Sequence, residues 1–167
     1  KDWDYKNGGF GNSQKFMLPA SLNYLLDYGN LTQQQEILGF VEQSLDKIAL
    51  GGVYDHLDGG FYRYSTDAEW RVPHFEKMLY DNAQLISLYA KVYKALKKPL
   101  YKQRVTETIQ FLNTSFKTKD GEYISALDAD LDGEEGAYYL FSEDELQKVS
   151  EEPELFKNYY NFFRFFV

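Results

Sequence analysis

Apolar residues recur at helical spacing along most of the chain, and the breaks between the stripes are as informative as the stripes. The first stripe spans 19–28, with Leu22, Leu25, Leu26 and Tyr28 on one face and Gly29 as its stop. Thr32 opens the second, with Gln35 three residues later as a capping box. Its stripe is Ile37, Leu38, Val41, Leu45, Ile48 and Ala49, ended by Gly51-Gly52. Pro73 predicts the start of a third helix, because a first-turn proline sacrifices an N–H that has no partner there. That helix carries Phe75, Met78, Leu79, Leu85, Ile86, Leu88, Tyr89, Val92 and Leu96. Pro99 starts the fourth, with Tyr101, Val105, Ile109, Phe111, Leu112 and Phe116. A further helix opens at Ser142, with Glu145 as a second capping box, and resumes after Pro153.

Connections within the first two pairs are short, and those between pairs, 50–72 and 118–141, are long. This alternation describes stacked helical hairpins, and loops of such length carry function or strands of their own. Segments 122–127 and 137–141 read as a small β-hairpin. Gly8-Gly9-Phe10 recurs as Gly59-Gly60-Phe61 and is echoed by Gly121-Glu122-Tyr123, near the period of a two-helix repeat. Three hairpins bury their inner faces only when more repeats complete the stack, so the chain reads as a single incomplete domain over 1–167. The aromatic run at 156–166 is expected to pack on protein outside the chain or on a second copy.

Composition changes this picture in three places. A net charge of −8 argues against nucleic acid as a partner, because phosphate binding needs a clustered basic surface. No apolar run approaches 18 residues, so no membrane partner is expected, and a cytoplasmic location is the default. Zero cysteines exclude a disulfide scaffold, a thiolate metal site and a cysteine nucleophile within these 167 residues. The chain is also rich in aromatics (15 Tyr, 13 Phe and 2 Trp), which supply core area but also suit sugar faces.

The densest chemistry lies at 51–83, which holds both histidines, four Asp, two Glu, two Arg and four Tyr. If 73 begins a helix, His74, Lys77 and Asp81 share one face at i, i+3 and i+7, while Glu76 and Tyr80 share another. A polar helix face is ordinarily just solvated. This one mixes His, Lys, Tyr, Asp and Asn instead of the usual Glu and Lys, and is taken as a candidate site. In the first turn the macrodipole would keep His74 neutral and able to act as a base. His56 reads equally as a loop-bracing residue. The histidines with Asp55 or Asp67 lack metal-ligand spacing. At 128–136, Asp128, Asp130 and Asp132-Gly133 match the opening of a calcium loop. Position twelve, however, is Tyr139 where a bidentate Glu belongs, so a polar turn that offers carboxylates is the better functional reading. No metal or cofactor is called for.

The runs Arg63-Tyr64-Ser65-Thr66-Asp67 and Pro73-His74-Phe75-Glu76-Lys77-Met78-Leu79-Tyr80-Asp81-Asn82-Ala83 resemble the signature of the spermatogenesis-associated protein 20 family of thioredoxin-domain-containing proteins. Gly8-Gly9-Phe10-Gly11 with Lys15-Phe16, and Asp128-Ala129-Asp130 with Glu134-Glu135-Gly136, resemble two more of its blocks. Met17, Asp58 and Tyr62 stand where that pattern usually has Pro, Gly and His. The resemblance implies a thioredoxin-like domain followed by an all-α, six-hairpin α/α toroid similar to N-acylglucosamine epimerases and six-hairpin glycosidases. This chain would supply about half of the ring. It further implies a small sugar-type ligand, with His74, Glu76, Asp81, His56 and Asp67 as catalytic candidates. Arg63, Tyr64, Trp70, Lys77, Tyr80, Asp128, Asp130 and Glu135 become candidates for substrate contact. An epimerase or isomerase, a glycoside hydrolase, a sugar-binding or regulatory module and a plain scaffold all remain open, since fold alone confers none of them.

Overall fold

The computed structural model describes residues 3–149 and Leu155. Two helical hairpins dominate it: α1 (Pro19–Thr32) with α2 (Gln35–Leu50), and α3 (Leu79–Leu96) with α4 (Pro99–Phe111). A π-helical turn, Leu112–Phe116, prolongs α4, and α5 (Glu143–Val149) opens a further helix. The hairpins pack side by side through α1 against α3 and α2 against α4. Their shared core is Leu22 and Leu26 from α1, with Phe40, Val41, Leu45 and Ile48 from α2. From the second hairpin come Leu85, Leu88, Tyr89 and Val92 of α3 and Tyr101 of α4. Each such side chain taken out of water is worth about 1.5–3 kcal/mol, which is why the apolar stripes fix the helices. Buried tyrosine hydroxyls are satisfied: Tyr89 donates to Leu45 O at 2.8 Å and Tyr101 to Asp46 Oδ1 at 2.7 Å.

Several element ends differ from the sequence expectation. Gly29 does not stop α1; it is buried inside the helix, and Gln33 in the left-handed region ends it. Thr32 caps nothing: its hydroxyl donates back to Tyr28 O, and α2 begins at Gln35 with no side-chain cap. The Ser142–Glu145 capping box does form, with Ser142 N and Oγ donating to Glu145 Oε2 and Glu145 N to Ser142 Oγ. The larger correction concerns 73–78, which is extended instead of helical. β3 (Pro73–His74) pairs antiparallel with β2 (Tyr64–Ser65), which also pairs with β1 (Lys15–Phe16). β4 (Lys77–Met78) pairs with β5 (Ala126–Leu127). The hairpin expected from 122–127 and 137–141 is replaced by a tighter one, β6 (Asp130–Leu131) with β7 (Glu134–Glu135), turning at Asp132 and Gly133, both with positive φ. The aromatic run and the helix after Pro153 lie outside the described residues, Leu155 aside.

The glycine repeat is a true structural repeat. Trp3, Asp4, Gly8, Gly9 and Phe10 correspond to Tyr54, Asp55, Gly59, Gly60 and Phe61. Each copy closes a bridge, Trp3 with Phe10 and Tyr54 with Phe61. In each, the Asp accepts backbone N–H groups two and three residues on. A fully buried lysine then clamps each loop: Lys15 Nζ lies 2.6 Å from Asp4 and 2.9 Å from Gly8 O, and Lys77 Nζ lies 2.7 Å from Asp55 and 3.0 Å from Gly59 O. A shorter third copy bridges Lys117 to Tyr123.

Candidate functional site

Between β3 and β4 the chain alternates its side chains with period two, as an extended segment must. His74 and Glu76 take one side. Phe75 and Lys77 take the other, where Phe75 stacks on Tyr139 and Lys77 Nζ lies over the rings of Phe111 and Tyr62. The His74 side carries the convergent polar groups. His74 Nδ1 is 2.6 Å from Glu135 Oε1, and its Nε2 is 3.7 Å from Glu76 Oε2. Arg63 donates to the same Glu76 oxygen at 2.8 Å. Tyr64, on β2 directly opposite His74, stacks on the imidazole with centroids 4.8 Å apart, and Phe16 of β1 backs Tyr64 in turn.

Asp81, in the first turn of α3, completes the group. Burial and the nearby Glu76 carboxylate outweigh the opposing Arg63 and push its carboxyl up to about 6. Tyr80 is half exposed and adds to the field at Arg63. Glu135 comes from β7, so the small hairpin brings to His74 a carboxylate 61 residues away in sequence. A carboxylate only accepts, so Nδ1 carries the proton in this contact and Nε2 is the nitrogen turned toward Glu76. The helix-dipole argument for His74 does not apply, because the residue sits on a strand.

Other candidates are placed elsewhere. His56 faces Gly51 O through Nε2 at 3.0 Å and Arg104 through Nδ1 at 3.4 Å. Desolvation lowers its pKa first, the Gly51 carbonyl opposes, and Arg104 lowers it further, so the ring is held neutral in a loop brace. Asp67 organises its own turn, accepting from the N–H groups of Glu69, Arg71 and Val72. Trp70 is fully buried, donates Nε1–H to Asn7 O at 2.9 Å and lies in the core, as does Lys77. Asp128 accepts from Asp130 N, and Asp130 stands opposite Glu135 in the exposed hairpin. A cleft of about 190 Å³ lined by Tyr54, His56, Tyr62, Phe75 and Tyr139 lies on the Phe75 side. Among the described residues, no group of three or more His, Asp or Glu is placed to hold a metal ion. Nor is any helix of them long and apolar enough to cross a membrane.

No protein-family model matches the chain. It is 36% identical over 168 aligned positions to spermatogenesis-associated protein 20 of Homo sapiens, covering 92% of this chain and 21% of that protein. It is 35% identical over 166 positions to the Mus musculus protein of the same name, covering 90% and 20%. The chain thus spans about a fifth of the length of the curated relatives it matches. Among solved structures it resembles a cellobiose 2-epimerase from Spirochaeta thermophila, with a TM-score of 0.65 and 19% identity over 76% of this chain and 34% of that one. A sugar epimerase from a ruminal bacterium gives 0.63 and 20% over 76% and 35%. An unsaturated glucuronyl hydrolase specific for heparin gives 0.57 and 12% over 95% and 47%. These likenesses establish the fold: the chain forms part of an epimerase-like six-hairpin α/α toroid.

Proposed function

Starting from a chain homologous to a segment of spermatogenesis-associated protein 20 and folded as part of an epimerase-like toroid, we propose that it supplies one wall of a carbohydrate site working by proton transfer. His74 is the base, through Nε2. Glu135 and Tyr64 position its ring, Asp81 supplies the acid, and Arg63 with Glu76 orients sugar hydroxyls. In an epimerisation or isomerisation the base takes a proton from a carbon next to a carbonyl and an acid returns one, which needs an imidazole nitrogen with a free lone pair and a carboxyl whose pKa is raised toward neutrality, as that of Asp81 is to about 6. The observation that carries this reading is the 2.6 Å His74–Glu135 contact, which fixes the tautomer as an orienting carboxylate does for catalytic histidines. Glycoside hydrolysis would use two carboxylates across a glycosidic bond; Glu76 and Asp81 stand on one wall.

A second reading is a sugar-binding or scaffold module that does not turn over, and the mutual pairing of Arg63 with Glu76 and His74 with Glu135 favours it. Ligand-detected NMR of the full-length protein against a sugar panel in D2O separates the two. Binding with deuterium incorporated at a sugar carbon, abolished in His74→Gln, is the expected result. Binding without incorporation selects the non-catalytic module. A folded protein that binds no sugar rejects the carbohydrate reading.

A further inference from the structure

We propose that this site selects its sugar by charge, taking neutral and above all ammonium-bearing sugars and excluding phosphorylated and acidic ones. The inference rests on the carbohydrate reading above and adds the substrate class. Its basis is the state of the site's one guanidinium. Arg63 already gives Nη1 to Glu76 at 2.8 Å, so an incoming phosphate or carboxylate would have to share a guanidinium whose charge that carboxylate offsets.

The other cations of the segment face away. Lys77 is buried against Asp55 on the opposite side of the strand, and Arg71 pairs with Glu69 at 2.9 Å. The carboxylates are less fully committed. Glu135 is half exposed while touching His74 through one oxygen, and Asp130 stands beside it across the hairpin. A sugar ammonium would gain the second oxygen of Glu135 while His74 keeps the first, whereas an anion meets only repulsion from that carboxylate.

Between groups that stay partly in water, desolvation and side-chain ordering offset most of the Coulomb attraction, and one such charge contact changes affinity by roughly several-fold to tenfold. The test is calorimetry on the full-length protein at low and at 0.5 M salt. The ligands are D-glucose, D-glucosamine and D-glucose 6-phosphate, with their manno and galacto counterparts. The expected result is amino sugars bound roughly tenfold tighter than neutral ones, phosphates at least tenfold weaker, and both gaps narrowed by salt. In Glu135→Gln the amino-over-neutral preference should fall several-fold. Phosphates binding tightest, equal affinities at low salt, or a preference unchanged in Glu135→Gln would each overturn charge selection while leaving the carbohydrate reading intact. No binding by any member would overturn both.

Discussion

Lys77 Nζ sits 2.7 Å from Asp55 Oδ2 with the lysine wholly buried and the aspartate nearly so, and the pair ties the second glycine loop to the strand that leads into α3. Aromatic faces surround the ammonium, with Phe111 at 4.1 Å and Tyr62 at 4.7 Å to the ring centroids. Removing one member of such a pair leaves a buried charge without a partner. Lys77→Met is expected to cost about 3–5 kcal/mol in denaturant unfolding. Lys77→Met combined with Asp55→Asn should recover part of that loss, because no bare carboxylate remains.

Asp4, the counterpart of Asp55 in the first loop, predicts acid sensitivity. Burial alone would raise its pKa, but the Lys15 ammonium and the N–H groups of Asn7 and Lys6 outweigh it and hold the carboxyl well below the usual carboxylate range. A carboxylate with a depressed folded pKa adds stability that is present above its unfolded value, near 4, and is lost as pH falls below that toward the folded value. Asp4→Asn should therefore be less stable than the parent at pH 7, with the difference shrinking as pH drops below about 4 in thermal melts.

Asp81 gives the opposite sign. Its folded pKa of about 6 lies above the unfolded value of 3.8, so its ionisation penalises the fold increasingly from about pH 4 to pH 6 and by a constant amount above. Asp81→Asn is expected to be more stable than the parent at pH 7, by about 1 kcal/mol once partial exposure is allowed for. The same variant should lose proton transfer at the site. A more stable but inactive variant is the outcome to look for in paired melting and sugar-exchange measurements.

Two glycines with left-handed backbones separate conformational strain from crowding. At Gly11, φ is +83° and an added Cβ would meet nothing within 4 Å, so Gly11→Ala should cost only about 1 kcal/mol. At Gly60, φ is +82° and a Cβ would lie 2.5 Å from the Phe111 ring. Gly60→Ala should lose about 1–3 kcal/mol beyond the strain, and pairing it with Phe111→Leu should return part of the crowding term. Chemical denaturation of the variants gives both differences.

The sequence alone placed the two helical hairpins, the proline at the head of α4, the Ser142–Glu145 cap and the repeated glycine loops. Each depends on residues within a turn or two of one another, so local spacing carries the signal. It also drew attention to 51–83, because ionisable residues are concentrated there. What it could not decide was the conformation of 73–78. Phe75 and Met78 fit a helical stripe, yet the segment is extended, because β2 and β5 supply backbone partners from elsewhere in the chain. That change of period from 3.6 to 2 puts His74 with Glu76 and sends Lys77 into the core, where a helix would have joined His74 to Lys77. Glu135 reaches His74 only because β6 and β7 fold back across the strand, and no local pattern records a contact 61 residues apart. Helices form from nearest-neighbour hydrogen bonds and a single buried stripe, whereas these strands exist only through distant partners, so tertiary structure alone could assemble the site.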